Sequence, residues 1–261
     1  MAAIDLNCDL GEAFGAWTMG EDESLLRIVS SASIACGFHA GDPSTMRRTC
    51  AAAGENGVAI GAHVGYRDLA GFGRRPMRVP GQELEDEIVY QIAALDGFAR
   101  PAGGPVRYVK PHGALYNTVA VDPEQAAALA NALLRYNSDL VLVGLAGSAG
   151  LRIAAERGLR VVAEAFADRA YTPQGTLVSR LEPGAVLHDP EAIVERCLRM
   201  VHEGRVEAVD GSVIEFSAQT VCVHGDTPGA VQIARGLREG LAKAGVEIRA
   251  FAGPLEQEER D

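Results

Sequence analysis

Most of the histidines in this 261-residue chain directly follow short apolar segments. Four of the six do so, namely His39, His63, His112 and His224. An imidazole can bind a divalent metal, transfer a proton near neutral pH, or serve as a hydrogen-bonded structural group. If the apolar segments are parallel strands of one fold, their ends lie at one edge and the four imidazoles lie together. None of the four forms a local His-x-x-x-His pair, so a metal site would have to be assembled from separate strands.

The densest group of reactive side chains lies in residues 109–117, Val-Lys-Pro-His-Gly-Ala-Leu-Tyr-Asn. The apolar residues 106–109 predict a buried strand, and the proline and glycine after it predict a turn. Lys110 is expected at the rim, partly desolvated. It would form an ion pair with a ligand carboxylate, polarise a carbonyl, or form a structural ion pair with a neighbouring strand. Tyr116 and Asn117 add a phenol and an amide to the same tip.

Carboxylates and arginines also follow predicted strands. Asp9 and Glu12 follow the first strand and Asp226 follows the seventh, where they could activate a water or hold a divalent cation. The alternative for Asp226 is helix capping, which is also the better interpretation of Asp42 before a proline. Arg169 beside Asp168 could clamp a carboxylate or phosphate. Surface salt bridges are the alternative for three of the arginines in the loop 66–81, which are Arg74, Arg75 and Arg78.

Several function classes are disfavoured. The formal net charge of −11 argues against a surface that binds nucleic acid. The chain contains no Gly-x-Ser-x-Gly and no P-loop motif, so a nucleotide, if used, is not held in the P-loop manner. The five cysteines form no C-x-x-C pair and are interpreted as reduced, mostly buried thiols. Without a signal peptide or an apolar stretch of membrane-spanning length, we expect a cytoplasmic protein.

The elements that must position these residues alternate between strand and helix. Strands are predicted at residues 3–8, 33–36, 58–62, 106–109, 140–145, 160–166 and 220–223, with a further strand at 246–251. Helices are predicted at 21–29, 43–55, 82–99, 122–136, 148–157, 189–203 and 230–244, with long loops at 66–81 and 171–188 and a hairpin at 206–216.

Nearly every predicted strand ends in polar residues, so a closed or nearly closed (β/α) barrel of seven or eight parallel strands is favoured over a doubly wound sheet. No change of composition marks a linker. We therefore predict one α/β barrel domain over residues 1–253 and an acidic tail over 254–261.

Six blocks of sequence closely resemble the LamB/YcsF family, whose members are also called the A subunits of 5-oxoprolinase. They are Asp5-Leu-Asn-Cys-Asp-Leu-Gly-Glu12, Cys36-Gly-Phe-His-Ala-Gly-Asp-Pro43, Gly61-Ala-His-Val-Gly-Tyr66, Val109-Lys-Pro-His-Gly-Ala-Leu-Tyr-Asn117, Glu164-Ala-Phe-Ala-Asp-Arg-Ala-Tyr171 and Val221-Cys-Val-His-Gly-Asp226. They span almost the whole chain. One departure is Val64, where the family pattern has proline.

The resemblance implies a glycoside hydrolase/deacetylase-like barrel. It also implies ATP-dependent opening of 5-oxo-L-proline to L-glutamate together with subunits B and C. ATP is a co-substrate that a partner protein could hold, and the need for a divalent metal stays open. The alternatives are a metal-dependent carbohydrate deacetylase and a non-catalytic substrate-binding subunit.

We assign roles within this resemblance as hypotheses. Lys110 or Arg169 would hold the substrate carboxylate, the histidines would polarise or protonate the ring amide, and Asp9 or Asp226 would position water. The expected catalytic set is Asp9, Glu12, His39, His63, Lys110, His112 and Asp226. The expected substrate-binding set is Asn7, Tyr116, Asn117, Asp168, Arg169 and His224.

Overall fold

Seven parallel strands form a closed ring in the computed structural model, which describes residues 3–215 and 217–252. The strands are β1 (Ala3–Leu10), β2 (Ser31–Ala35), β3 (Ala59–Val64), β4 (Tyr108–Pro111), β5 (Val141–Leu145), β6 (Arg160–Phe166), β7 (Arg205–Glu207), β8 (Val213–Glu215), β9 (Thr220–His224) and β10 (Glu247–Ile248). The ring runs from β1 to β6 in order and is closed by β9, which pairs with both β6 and β1. The predicted (β/α) barrel is therefore confirmed, with seven strands in the ring.

The remaining strands lie outside the ring. The strand predicted at 246–251 exists as β10, which pairs in parallel with the first two residues of β1. The predicted hairpin is confirmed as the antiparallel pair of β7 and β8, joined around Asp210 and Gly211. The predicted acidic tail lies outside the described residues.

Helices follow most strands and cover the outside of the ring. They are α1 (Asp22–Leu26), α2 (Pro43–Glu55), α3 (Gly81–Ala99), α4 (Gly113–Val121), α5 (Pro123–Tyr136), α6 (Ala149–Glu156), α7 (Pro190–Glu203) and α8 (Ala230–Lys243). Asp42, Asp122 and Asp189 each precede a proline and accept hydrogen bonds from backbone amides of the first helical turn. Asp42 is thus the structural cap that the sequence predicts. No helix in the described part of the chain is long and apolar enough to cross a membrane.

One helix is missing from the sequence prediction. Residues 109–117 were expected to be a strand followed by a turn, but α4 begins at Gly113, directly after β4. Gly113 adopts a φ of +52°, a conformation that a residue with a Cβ rarely takes, and so the chain turns from strand to helix within one residue. Pro111 is the last residue of β4, which places Lys110 within the strand rather than after it.

The inside of the ring is polar over much of its length. Alternate residues of β1 place Asp5, Asn7 and Asp9 in the interior, where they bond to residues of β4, β6 and β9. A small apolar cluster of Tyr108, Val141, Val143 and Val162 packs separately from the main core. All five cysteines are buried and unpaired, as expected from the sequence.

Candidate active site

A cavity of about 850 Å³ opens at the carboxyl ends of the barrel strands. Its floor is formed by residues at or near the strand ends, including Asp9, His63, Lys110 and His224. Its walls come from α4 and from the long loops predicted at 66–81 and 171–188. The cavity therefore lies at the end of the barrel where polar residues were expected to converge.

Lys110 is the centre of a buried ionic network beneath this cavity. Its ammonium lies 2.8 Å from a carboxylate oxygen of Asp9 and 2.8 Å from one of Glu164. It also donates to Asn7 Oδ1 at 3.0 Å and contacts Cys222 Sγ at 3.0 Å. The side chain is 1% exposed. Burial alone would lower the pKa of Lys110, but the two carboxylates and the thiol outweigh it and raise the pKa well above its usual value.

The two carboxylates at the end of β1 have opposite protonation preferences. Burial would raise the pKa of Asp9, but His63 and Lys110 hold it well below the usual range. Burial and the neighbouring charge of Asp9 raise the pKa of Glu12 well above its usual value. Asp9 is therefore an ionised group and Glu12 a proton carrier within one site, which is the pattern of an acid and base pair.

Three imidazoles surround Glu12. His63 ends β3, His112 precedes α4, and His39 lies in the loop after β2. The rings of His39 and His112 are stacked, with centroids 3.8 Å apart and planes 3° apart, and His63 is perpendicular to both. Burial lowers the pKa of His39 and His112 well below the usual value. Ligand atoms of Glu12, His39, His63 and His112 all lie within 4.8 Å of one another, so this buried cluster could bind a metal.

The long loop after β3 supports this cluster. His112 Nε2 lies 2.8 Å from the carbonyl oxygen of Phe72. Among the described non-glycine residues, only Phe72 has a positive φ, at +53°. Backbone conformations of this kind are costly and cluster at functional sites. Arg74 packs over the Phe72 ring and forms an ion pair with Asp226 across the cavity mouth, with 2.6 Å between Nη2 and Oδ2.

A second histidine and carboxylate pair lies on the opposite side of the cavity. His224 Nδ1 donates to Asp168 Oδ1 at 2.8 Å, and Thr227 donates to the other oxygen at 2.6 Å. Burial would raise the pKa of Asp168, but His224 and these hydrogen bonds lower it to about 2. The His224 ring stacks on Phe166. The ring is thereby fixed in one orientation, with its second nitrogen left for the cavity.

Arg169 supplies positive charge to the same cavity. It is 4% exposed and donates to the carbonyl oxygens of Ala185 and Val178. Within residues 3–215 and 217–252, no carboxylate forms an ion pair with it. Burial, with a contribution from Arg180, lowers its pKa to about 10, so the guanidinium stays charged at neutral pH. This buried cation is suited to an anionic ligand.

The structure brings most of the predicted site residues to this cavity. Lining positions are held by Asp9, Glu12, His63, Lys110, His112, Tyr116, Asn117, Arg169, His224 and Asp226. His39 and Asp168 lie behind this lining, against His112 and His224 respectively. Asn7 lies deeper, between Lys110, Glu164 and Thr220. Asp226 does not cap the following helix, which begins at Ala230, but pairs with Arg74.

Three contributors were not among the predicted site residues. Glu164 and Cys222 lie inside strands and bond to Lys110, and Phe72 acts through its backbone carbonyl. A charged residue at an inward position of the otherwise apolar β6 was a signal for Glu164. Nothing in the sequence marks the Phe72 carbonyl, because its role depends on the path of the loop.

Comparison with known proteins gives a consistent result. The LamB/YcsF family model matches residues 4–256. A relative from Mycobacterium avium, named as the A subunit of 5-oxoprolinase, is 61% identical over 96% of this chain and 100% of its own. One from Pseudomonas syringae, named as a 5-oxoprolinase A subunit with the number 3, is 58% identical over 97% and 99%. The crystal structure of a lactam utilization protein from Thermus thermophilus superposes with a TM-score of 0.90 at 46% identity, covering 95% and 100% of the two chains.

Proposed function

Because the chain belongs to the LamB/YcsF family, we propose that it is the A subunit of a 5-oxoprolinase, which opens 5-oxo-L-proline to L-glutamate. The names of relatives at 61% and 58% identity over nearly the whole chain support this function. The substrate is a five-membered cyclic amide that carries one carboxylate. The site must therefore hold an anion and hydrolyse an amide.

The observation that carries the proposal is the position of Arg169 opposite the carboxylate and histidine cluster of one cavity. Arg169 is a buried cation without a carboxylate partner among the described residues, whereas Lys110 already contacts Asp9, Glu164, Asn7 and Cys222. Of the two residues considered for the substrate carboxylate, Arg169 is therefore the better one. The lactam ring would then extend toward Asp9 and Glu12.

The differing carboxylates supply the hydrolytic chemistry. A water that attacks the amide carbon needs a base, and the ring nitrogen needs a proton when the C–N bond breaks. Ionised Asp9, which lies 3.3 Å from His63 Nε2, would position the water. Glu12, whose pKa is raised, would deliver the proton to the leaving nitrogen.

Coupling to ATP accounts for the driving force. A lactam is a poor electrophile because amide resonance must be broken, and transfer of a phosphoryl group to the amide oxygen would overcome this. The sequence has no P-loop, and ATP is accordingly assigned to partner subunits B and C. The five buried, unpaired thiols suit a reducing compartment, so the activity is placed in the cytoplasm.

The test is glutamate release from 5-oxo-L-proline by the purified chain mixed with candidate partner subunits, with and without ATP. The proposal expects release only in the complete mixture, and loss of release with Asp9→Asn or Glu12→Gln. Activity on an acetylated sugar without ATP or partners would instead support a metal-dependent deacetylase, for which the histidine cluster is the motivating observation. Lactam binding with unchanged release in both variants would indicate a non-catalytic binding subunit.

A further inference from the structure

Two imidazoles of the candidate site direct lone pairs at each other. His63 Nδ1 lies 3.0 Å from the carbonyl oxygen of Lys110, and His112 Nε2 lies 2.8 Å from that of Phe72. A carbonyl oxygen only accepts hydrogen bonds, so each of these two nitrogens carries its hydrogen. In the neutral rings His63 Nε2 and His112 Nδ1 are then both unprotonated, and they lie 2.9 Å apart. Two lone pairs at this distance repel unless positive charge lies between them.

A third donor faces the same point. Glu12 Oε1 lies 3.4 Å from His112 Nδ1 and 3.9 Å from His63 Nε2. The carboxylate is 5% exposed, and Oε1 makes no hydrogen bond with the described residues. A proton shared by the two imidazoles would leave this oxygen unsatisfied. A metal ion would satisfy all three atoms at once.

We propose that His63 Nε2, His112 Nδ1 and Glu12 Oε1 bind one divalent cation of the zinc class. Zinc binds such atoms at about 2.0 to 2.2 Å, so tetrahedral ligands are separated by roughly 3.3 to 3.5 Å. The three separations of 2.9, 3.4 and 3.9 Å lie around this value. The carbonyl oxygens on the far sides of both rings are the outer partners that metal-binding histidines normally have.

The charges around the site also favour a cation. Three buried carboxylates, Asp9, Glu12 and Glu164, surround a single buried ammonium, that of Lys110. Asp9 Oδ2 lies 3.3 Å from His63 Nε2, directly beside the proposed position. A divalent cation would balance this excess of negative charge in a region with little solvent.

His39 is not a ligand in this arrangement. Its ring is parallel to that of His112, so its lone pairs run alongside those of His112 instead of converging with them. His39 also lies behind the cavity, whereas Glu12, His63 and His112 line it. The cation would thus have three protein ligands and one position open to the cavity. An oxygen donor, such as water or an amide carbonyl, suits that position.

The proposal does not depend on the proposed function, because its test measures bound metal. The full chain, freed of any polyhistidine tag and treated with a chelator, is titrated with Zn²⁺ and with Co²⁺. We expect one equivalent of either ion, and the visible absorption bands of four-coordinate cobalt. His112→Ala and the nearly isosteric Glu12→Gln should each weaken binding by more than about 100-fold.

Two further variants serve as controls. His224→Gln removes a buried imidazole from the same rim and should leave the metal content unchanged, as should His39→Gln. Circular dichroism shows whether each variant is folded. Failure of the wild-type chain to bind either ion would overturn the proposal, as would equal binding by wild type and Glu12→Gln. Loss of metal in His39→Gln would overturn the open three-ligand geometry. Glutamate release by a metal-free mixture would overturn a catalytic role for the ion without affecting the proposed function.

Discussion

Lys110 and Glu164 form an ion pair inside the barrel, with 2.8 Å between Nζ and Oε1, on strands that are not adjacent in the ring. Both side chains are at most 1% exposed. Removing one partner leaves the other charge buried without compensation, which costs about 3 to 5 kcal/mol. Lys110→Met should therefore lower the free energy of unfolding by this amount, measured by urea denaturation. Lys243→Met, at an exposed position near the end of α8, should change it by less than about 0.5 kcal/mol.

Asp5 gives the protein a pH dependence of the opposite sign to most buried carboxylates. Burial raises its pKa to about 6, although Ser31, Thr220 and Ser30 donate hydrogen bonds to it. Between about pH 4 and pH 6 the folded chain thus binds a proton that the unfolded chain releases. The contribution of Asp5 to stability falls as pH rises through this window, by about 3 kcal/mol.

Asp5→Asn should remove this dependence and make the protein more stable than the wild type above about pH 6. Urea denaturation of both chains at several pH values between about 4 and 8 measures the difference. A gap between the two chains that does not widen with pH would contradict the account.

Arg169 should discriminate between lactams by their carboxylate. Arg169→Gln should lower kcat/KM for 5-oxo-L-proline by about 10- to 100-fold, the size expected for loss of a charged hydrogen bond. Inhibition by 2-pyrrolidinone, which lacks the carboxylate, should be the same for both chains. Arg196→Gln is the matched control, because Arg196 also donates to backbone carbonyls but does not line the cavity. An equal loss for both lactams would mean that Arg169 acts only by holding its loop.

Gly73 tests whether the loop after β3 positions the histidines. A Cβ at Gly73 would lie 2.7 Å from both His112 Cδ2 and His39 Cβ, whereas one at Gly57 would meet nothing within 4 Å. Both glycines have a φ near +65°, at 64° and 66°. Substitution by alanine should therefore cost a similar 1 to 2 kcal/mol of backbone strain at each, roughly.

Only Gly73→Ala should also displace the imidazoles. We expect its glutamate release to fall by about 100-fold relative to Gly57→Ala, at comparable stability in urea denaturation. Similar release by the two variants would show that the site tolerates movement of His39 and His112.

The barrel and the side of it that carries the site could be predicted from the sequence, because apolar strands ending in His39, His63, His112 and His224 require only local patterns. The helix α4 could not. Five of its nine residues are buried, so it has no clear amphipathic period, and the preceding proline and glycine suggest a turn.

The pairing of side chains within the site was also beyond the sequence. Lys110 was expected at the rim, yet one residue of added strand places it inside the barrel, where Asp9 and Glu164 surround it. The facing nitrogens of His63 and His112 depend on ring orientations that are set by the carbonyls of Lys110 and Phe72. Such orientations come from tertiary packing, which spacing along one chain does not encode.

The link between Arg74 and Asp226 joins the loop after β3 to the loop after β9 over the mouth of the cavity. Both side chains are partly exposed, at 35% and 18%, so solvent screens the attraction and the pair contributes at most about 1 kcal/mol. Thermal motion breaks an interaction of this size readily. Entry of substrate and escape of product can thus occur without unfolding either loop. The ease of passage should increase with ionic strength, while the ionic network around Lys110 beneath it is shielded from salt by burial.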